Sequence, residues 1–163
     1  MKGGHTDLKH GIPAVLFTNA NRYLNKIDEL MCILHDVTPD VIAVTETWLG
    51  CDVPDTVCQI DGYTIYRKDR TSGIGGGVLC FVADDIQSCL RVPQVACDVD
   101  FEILWVLIRP KVLPRPLSCI VFGVLYMPPW YCVELQKKLK TYIISSIDFF
   151  QECIHISGYY PLW

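Results

Sequence analysis

The sequence has no apolar run long enough to cross a bilayer. Its longest, Phe101–Ile108 and Leu117–Met127, are interrupted and fall short of the ~20 residues a spanning helix needs, so no membrane association is expected. The opening Met1-Lys2-Gly3-Gly4-His5-Thr6-Asp7 lacks the apolar core and small-residue cleavage site of a secretory signal, leaving cytoplasm or nucleus as the expected location. Among nine cysteines no two stand three apart, which excludes a zinc knuckle and a redox C-x-x-C pair. An odd count scattered through apolar runs predicts small hydrophobes in a reducing compartment and no disulfide framework. Basic residues are outnumbered, 14 to 18, for a net charge of −4, so a purely electrostatic nucleic-acid surface is excluded as a global property. Local clusters remain at Arg67-Lys68-Asp69-Arg70, Arg109/Lys111/Arg115 and Lys137/Lys138/Lys140, the last read as a solvated helix face. No Gly-Lys-Ser/Thr follows the glycines at Gly73–Gly77, no Gly-x-Ser-x-Gly occurs, and the four histidines share no metal spacing. A phosphate loop, a serine nucleophile elbow and a histidine metal centre are thereby excluded.

What is present is a globular composition, 51% hydrophobic and 20% charged in 163 residues, enough for one domain with a sizeable core. The expected division is a frayed terminus over residues 1–12 and a single domain over 13–163. Ala14–Thr18 reads as a strand running into Asn19-Ala20-Asn21, whose amides suit a turn. Asn25 and Asp28 open a predicted helix with Ile27, Leu30, Met31 and Leu34 at i, i+3, i+4, i+7, closed by Thr38-Pro39. Val41-Ile42-Ala43-Val44-Thr45 is a continuous β-branched run, the pattern of a strand covered on both faces, and it ends on Glu46. Strand, helix and strand make a right-handed βαβ unit, which places the ends of both strands on one edge and predicts Asn19 and Glu46 as neighbours.

Ile60–Arg67 reads as a strand, Gly73–Gly77 as a turn or bulge, and Val78–Val82, Phe101–Arg109 and Leu117–Leu125 as three strands of an antiparallel meander. Glu134 to about Gln151 keeps helical spacing and predicts an amphipathic helix on the sheet, after which Cys153–Ser157 alternates like a strand carrying His155 as a structural residue. Three polar side chains then stand just past predicted strands: Asn19, Glu46 and Tyr126, an amide, a carboxylate and a phenol. One carboxylate in that position could hold a divalent cation.

The ordered set Phe17-Thr18-Asn19-Ala20-Asn21, Asn25-Lys26, Pro39-Asp40-Val41-Ile42, Thr45-Glu46-Thr47-Trp48-Leu49, Arg67-Lys68-Asp69-Arg70, Gly75-Gly76-Gly77-Val78 and Leu125-Tyr126-Met127-Pro128-Pro129 resembles the endonuclease/exonuclease/phosphatase superfamily. Its forms are most similar to the apurinic-type endonuclease domain of non-LTR retrotransposons, more than to the phosphoinositide or nucleotide phosphatases of that superfamily. The resemblance runs from Val15 to about Gly158. It implies a two-sheet α/β sandwich and Mg²⁺-dependent cleavage of DNA phosphodiesters. It implies that Asn19 orders the site, that Glu46 is the metal-binding carboxylate, that Tyr126 hydrogen-bonds the phosphate, and that Arg67 and Arg70 contact the DNA backbone.

Two departures accompany it. Where the family has Gly-Asp-Phe-Asn, this chain reads Gly158-Tyr159-Tyr160-Pro161, and a phenol with a pKa of about 10 does not replace an ionised carboxylate. The family's later Asp-His pair is also missing, which implies a sandwich incomplete at its C-terminus and an inactive enzyme. The alternative is a non-catalytic remnant, a fragment that binds nucleic acid or protein. An open sheet edge and a positive mean hydropathy of +0.29 add the expectation of edge-mediated self-association.

Overall fold

The computed structural model describes residues 12–71, 74–97 and 99–156. The frayed terminus expected before residue 12, Gly73 of the glycine turn, and the Ser157, Gly158, Tyr159 and Pro161 positions lie outside the described residues.

Among these residues the chain forms β1 (Val15–Asn19), a 3₁₀ turn (Tyr23–Asn25), α1 (Ile27–Asp36), β2 (Val41–Thr45), α2 (Asp55–Cys58), β3 (Tyr63–Lys68), β4 (Val78–Ala83), β5 (Gln87–Arg91), β6 (Ile103–Arg109), β7 (Ile120–Leu125) and α3 (Val133–Ile156). They fall into two sheets, one ordered β1-β2-β4-β3 and one ordered β5-β6-β7. Contacts divide the chain into a unit of residues 1–90 with 102–126 and a second of 91–101 with 127–163.

The first unit is a sandwich with apolar packing on both faces of its larger sheet. Every residue of β2 and β4 is buried, and alternate side chains serve opposite faces, as a strand's period of two requires. Val41, Ala43, Val78, Cys80 and Val82 meet Leu104, Val106 and Ile108 of β6 and Val124 of β7. Ile42, Val44, Leu79 and Phe81 point the other way, onto Tyr23, Leu30, Leu49, Cys58 and Ile60. That double burial is why these strands read as unbroken apolar runs instead of alternating ones. In the second sheet Gly123 faces Trp105 across the β6–β7 ladder, and a Cβ there would meet the indole at 2.7 Å.

β1 and β2 pair in parallel with Asn19 opposite Thr45, as the βαβ reading requires. Helix α1 starts at Ile27 after the 3₁₀ turn and takes no side-chain cap from Asn25; Lys26 is its cap residue. The expected meander is corrected in one respect. β4 belongs to the larger sheet between β2 and β3, while β6 and β7 pair antiparallel in the other sheet with β5, a strand that Gln87-Ser88-Cys89-Leu90-Arg91 does not announce. A second correction falls at the end of the chain: α3 runs through Ile156, so Cys153–Ile156 is helix and not strand. Propagating an existing helix adds a hydrogen bond per residue, which outweighs four residues of alternation.

In the second unit the ring of Phe101 lies 6.2 Å from Tyr131 and 5.7 Å from Tyr142 of α3. Lys137 and Lys140 of that helix are exposed, and Lys138 is half-buried. No described helix is long and apolar enough to cross a membrane. The eight described cysteines are free; Cys58 and Cys80 are buried as small hydrophobes, whereas Cys32, Cys51, Cys97 and Cys132 are exposed, against the packing role expected of them.

Candidate functional site

Glu46 leaves β2 in a left-handed conformation, φ 52°, and Trp48 repeats it at φ 56°. Such conformations cost ~1–3 kcal/mol each in a non-glycine residue and persist only where neighbours over-determine them. Here the segment is held from both sides. The Arg22 and Tyr23 amides donate to the Glu46 and Thr47 carbonyls at 3.0 and 2.9 Å, while the Thr47 and Trp48 amides donate to Gly77 and Gly76 at 3.3 and 2.9 Å. Gly76 and Gly77 sit at φ 74° and 81°, and a Cβ would drive Gly76 into Arg70 and Glu102 and Gly77 into the Thr47 hydroxyl. The glycine run is therefore a cradle for the segment after β2, consistent with a turn feeding β4.

The carboxylate so placed gathers donors from distant parts of the chain. Tyr126 Oη donates to Glu46 Oε1 at 2.6 Å, across 80 residues of sequence, and Trp48 Nε1 donates to Oε2 at 3.3 Å. The Tyr126 hydrogen bond is the main reason that the Glu46 pKa lies below the ordinary carboxylate value; partial burial opposes it, and hydrogen bonds from Trp48 and Asn19 and the charge of Arg70 reinforce it. Burial first, and then the bond to Glu46, pushes Tyr126 up to about 12. At neutral pH the pair is thus an anion and a protonated donor. Asn19, Glu46 and Tyr126, each read from sequence as standing past a strand, meet at one corner.

The two arginines expected to touch a phosphate have different fates. Arg67 donates through Nε and Nη2 to Asp69, through Nη1 to the Val53 carbonyl at 2.8 Å and Asp55 at 3.0 Å, and through Nη2 to the Gly50 carbonyl at 2.8 Å. A guanidinium has five N–H donors, and all are engaged. These bonds fasten the loop after Leu49 to the end of β3. Arg70 donates to Glu102 Oε1 through Nε at 2.8 Å and again through Nη2, and to the Ile74 carbonyl at 3.0 Å, and its charge reaches Glu46.

Sequence reasoning missed Glu102. It is buried, its Oε2 accepts the Gly77 amide, and its own carbonyl accepts the Tyr126 amide at 2.9 Å. One residue thereby fixes Arg70, the glycine cradle and the backbone of Tyr126. The available signal was a carboxylate ahead of the apolar Ile103-Leu104-Trp105, since a buried charge requires a partner. Trp48 was missed as a donor to Glu46, and so was Arg22, whose guanidinium carbon lies 4.5 Å above the Trp48 ring.

No group of three or more His, Cys, Asp or Glu that could hold a metal occurs among the described residues. The donor set nevertheless fits Mg²⁺ of the kind shared with a substrate, which takes one or two carboxylates and fills its octahedron with water and phosphate oxygens. Glu46 is ionised, and its carboxylate accepts from Tyr126, Trp48 and Asn19, which leaves room on its two oxygens for a further partner. Glu102 does not qualify, because Arg70 and Gly77 occupy it.

A four-stranded sheet packed on a three-stranded one makes a two-sheet α/β sandwich. The same fold is seen in NExo, a 3′ phosphatase from Neisseria solved with a product DNA hairpin: the TM-score is 0.55 at 13% identity, covering 88% of this chain and 53% of that one. The chain spans about half the length of that solved protein. No protein-family model matches the sequence, and no curated protein matches it.

Proposed function

We propose that the Glu46 corner is a site for a DNA phosphodiester served by Mg²⁺, of the kind found in the apurinic-type endonucleases of non-LTR retrotransposons. The observation that carries this reading is the 2.6 Å hydrogen bond that joins Tyr126 to an ionised Glu46 across the two sheets. Glu46 would hold the cation, with Asn19 keeping the carboxylate oriented, and Tyr126, protonated up to about 12, would turn its one O–H from Glu46 to a phosphate oxygen when the cation takes the carboxylate. When bound, Mg²⁺ would supply charge neutralisation on the displaced oxygen. Phosphate-ester chemistry on DNA is supported by the name of the protein with a similar fold, a 3′ phosphatase bound to product DNA. The retrotransposon branch is supported by the Thr45–Leu49 and Tyr126–Pro129 forms of the sequence.

As it stands, the chain binds such a strand with little turnover. Tyr159 and Pro161 occupy positions where the family places a water-activating Asp and Asn, and loss of a general base costs ~10²–10⁴ in rate. The test is nicking of supercoiled plasmid and of abasic duplex by purified protein in Mg²⁺ and in EDTA, with Glu46→Ala as the control. The expected result is retention of DNA without nicking. Robust Mg²⁺-dependent nicking lost in Glu46→Ala would overturn the inactivity and leave the site assignment standing; no interaction with DNA would overturn both.

A further inference from the structure

We propose that Arg22 is a substrate contact of the same site, binding a phosphate beside the one at Glu46 while stacked on Trp48; this rests on the phosphodiester reading above. Its backbone is the first sign. Arg22 has φ 81° and ψ 89°, a conformation that favours glycine, and follows Asn21 at φ 42°. An arginine kept there carries strain that a glycine would relieve, so its side chain needs a reason. Its packing is the second. The guanidinium carbon lies 4.5 Å from the centre of the Trp48 ring, and that ring is itself fixed: Nε1 donates to Glu46, and its Cε2 would be 3.2 Å from a Cβ at Gly75. Stacking uses the face of a guanidinium and leaves its in-plane N–H donors available to an anion.

Its position is the third. The Arg22 amide donates to the Glu46 carbonyl at 3.0 Å, and the residue is exposed. Arg67 and Arg70 do not offer the same service, because side chains and carbonyls of the fold already engage them. The ligand class follows from the charge arrangement: a strand with a phosphate at Glu46 and another at Arg22 is a polynucleotide, whereas a phosphomonoester fills only the first position.

Fluorescence anisotropy on a labelled DNA duplex in Mg²⁺, repeated across a salt series, tests this with Arg22→Gly, Arg22→Ala and Arg22→Lys. Arg22→Gly removes the guanidinium and the backbone strain together, so its melting temperature should hold or rise while affinity falls about tenfold and the salt slope drops by about one. Arg22→Lys should restore the slope. Wild-type affinity and slope in a folded Arg22→Gly protein would overturn the contact and leave the phosphodiester reading intact. Duplex binding by the wild type without salt dependence, or no binding, would overturn both.

Discussion

Arg67 and Arg70 belong to one short run at the end of β3, yet they anchor different corners of the molecule. Around Arg67 every donor meets an acceptor of the fold, Asp55, Asp69 and two loop carbonyls, and nothing there gathers toward a common point. Around Arg70 the partners form a chain: Glu102 holds the arginine, the glycine cradle and Tyr126, and Tyr126 holds Glu46. The residue type is the same in both. What separates a structural arginine from one that shapes a site is whether its neighbours converge on an ionised group placed at a strand end.

Removing Glu102 should break that convergence with the largest effect. Glu102→Ala removes the buried carboxylate that Arg70 is bonded to and leaves the Gly77 amide without its acceptor, and should cost ~3–5 kcal/mol in urea denaturation. A loss below ~1 kcal/mol would mean that the cradle stands without it. Arg67→Ala comes next. It strands Asp69 and two carbonyls but leaves Asp55 solvated, so a cost of ~1–3 kcal/mol is expected, with duplex affinity unchanged. A fall in affinity comparable to that expected for Arg22 would erase the distinction between the two corners.

Tyr126→Phe is smaller in stability and sharper in chemistry. Loss of one hydrogen bond should cost ~1 kcal/mol, and the Glu46 pKa should rise toward its ordinary value, read by carbon NMR of the carboxylate. The pH dependence follows from the signs. Glu46 is depressed in the fold, so its contribution is present above the ordinary carboxylate pKa and is lost as pH falls through the lowered one; Tyr126 is raised, so its contribution is present below the ordinary 10 and is lost as pH rises through about 12. The difference in stability between wild type and Tyr126→Phe should vanish at both ends. A difference that is flat across pH would contradict the pairing.

The smallest effect concerns the edge of the larger sheet. β1 is an outer strand, and Phe17 on it is 64% exposed, so Phe17→Lys should change stability by less than ~0.5 kcal/mol while reducing self-association in light scattering.

Much of this corner was legible because it is local. An apolar run ending in Glu46, an amide at the end of β1 and a tyrosine after β7 are each visible as strand-end residues, and the parallel βαβ rule alone makes Asn19 and Glu46 neighbours. Glu102 was hidden because its role exists only through residues distant in sequence, Arg70 and Gly77. The partners of Arg67 were hidden for the same reason, since its acceptors at Gly50, Val53 and Asp55 are brought to it by the loop after Leu49. β5 escaped notice because Gln87–Arg91 has neither an apolar run nor a turn signal to mark it, and α3 absorbed the alternating Cys153–Ile156 because helix continuation outweighs short periodicity.

The most direct test of the site is the Mg²⁺ dependence of DNA binding in wild type and Glu46→Gln, measured by anisotropy at constant ionic strength. If Glu46 holds the cation that bridges to the phosphate, Mg²⁺ tightens binding by the wild type and has no effect on the variant. Equal tightening in both, or none in the wild type, would contradict it.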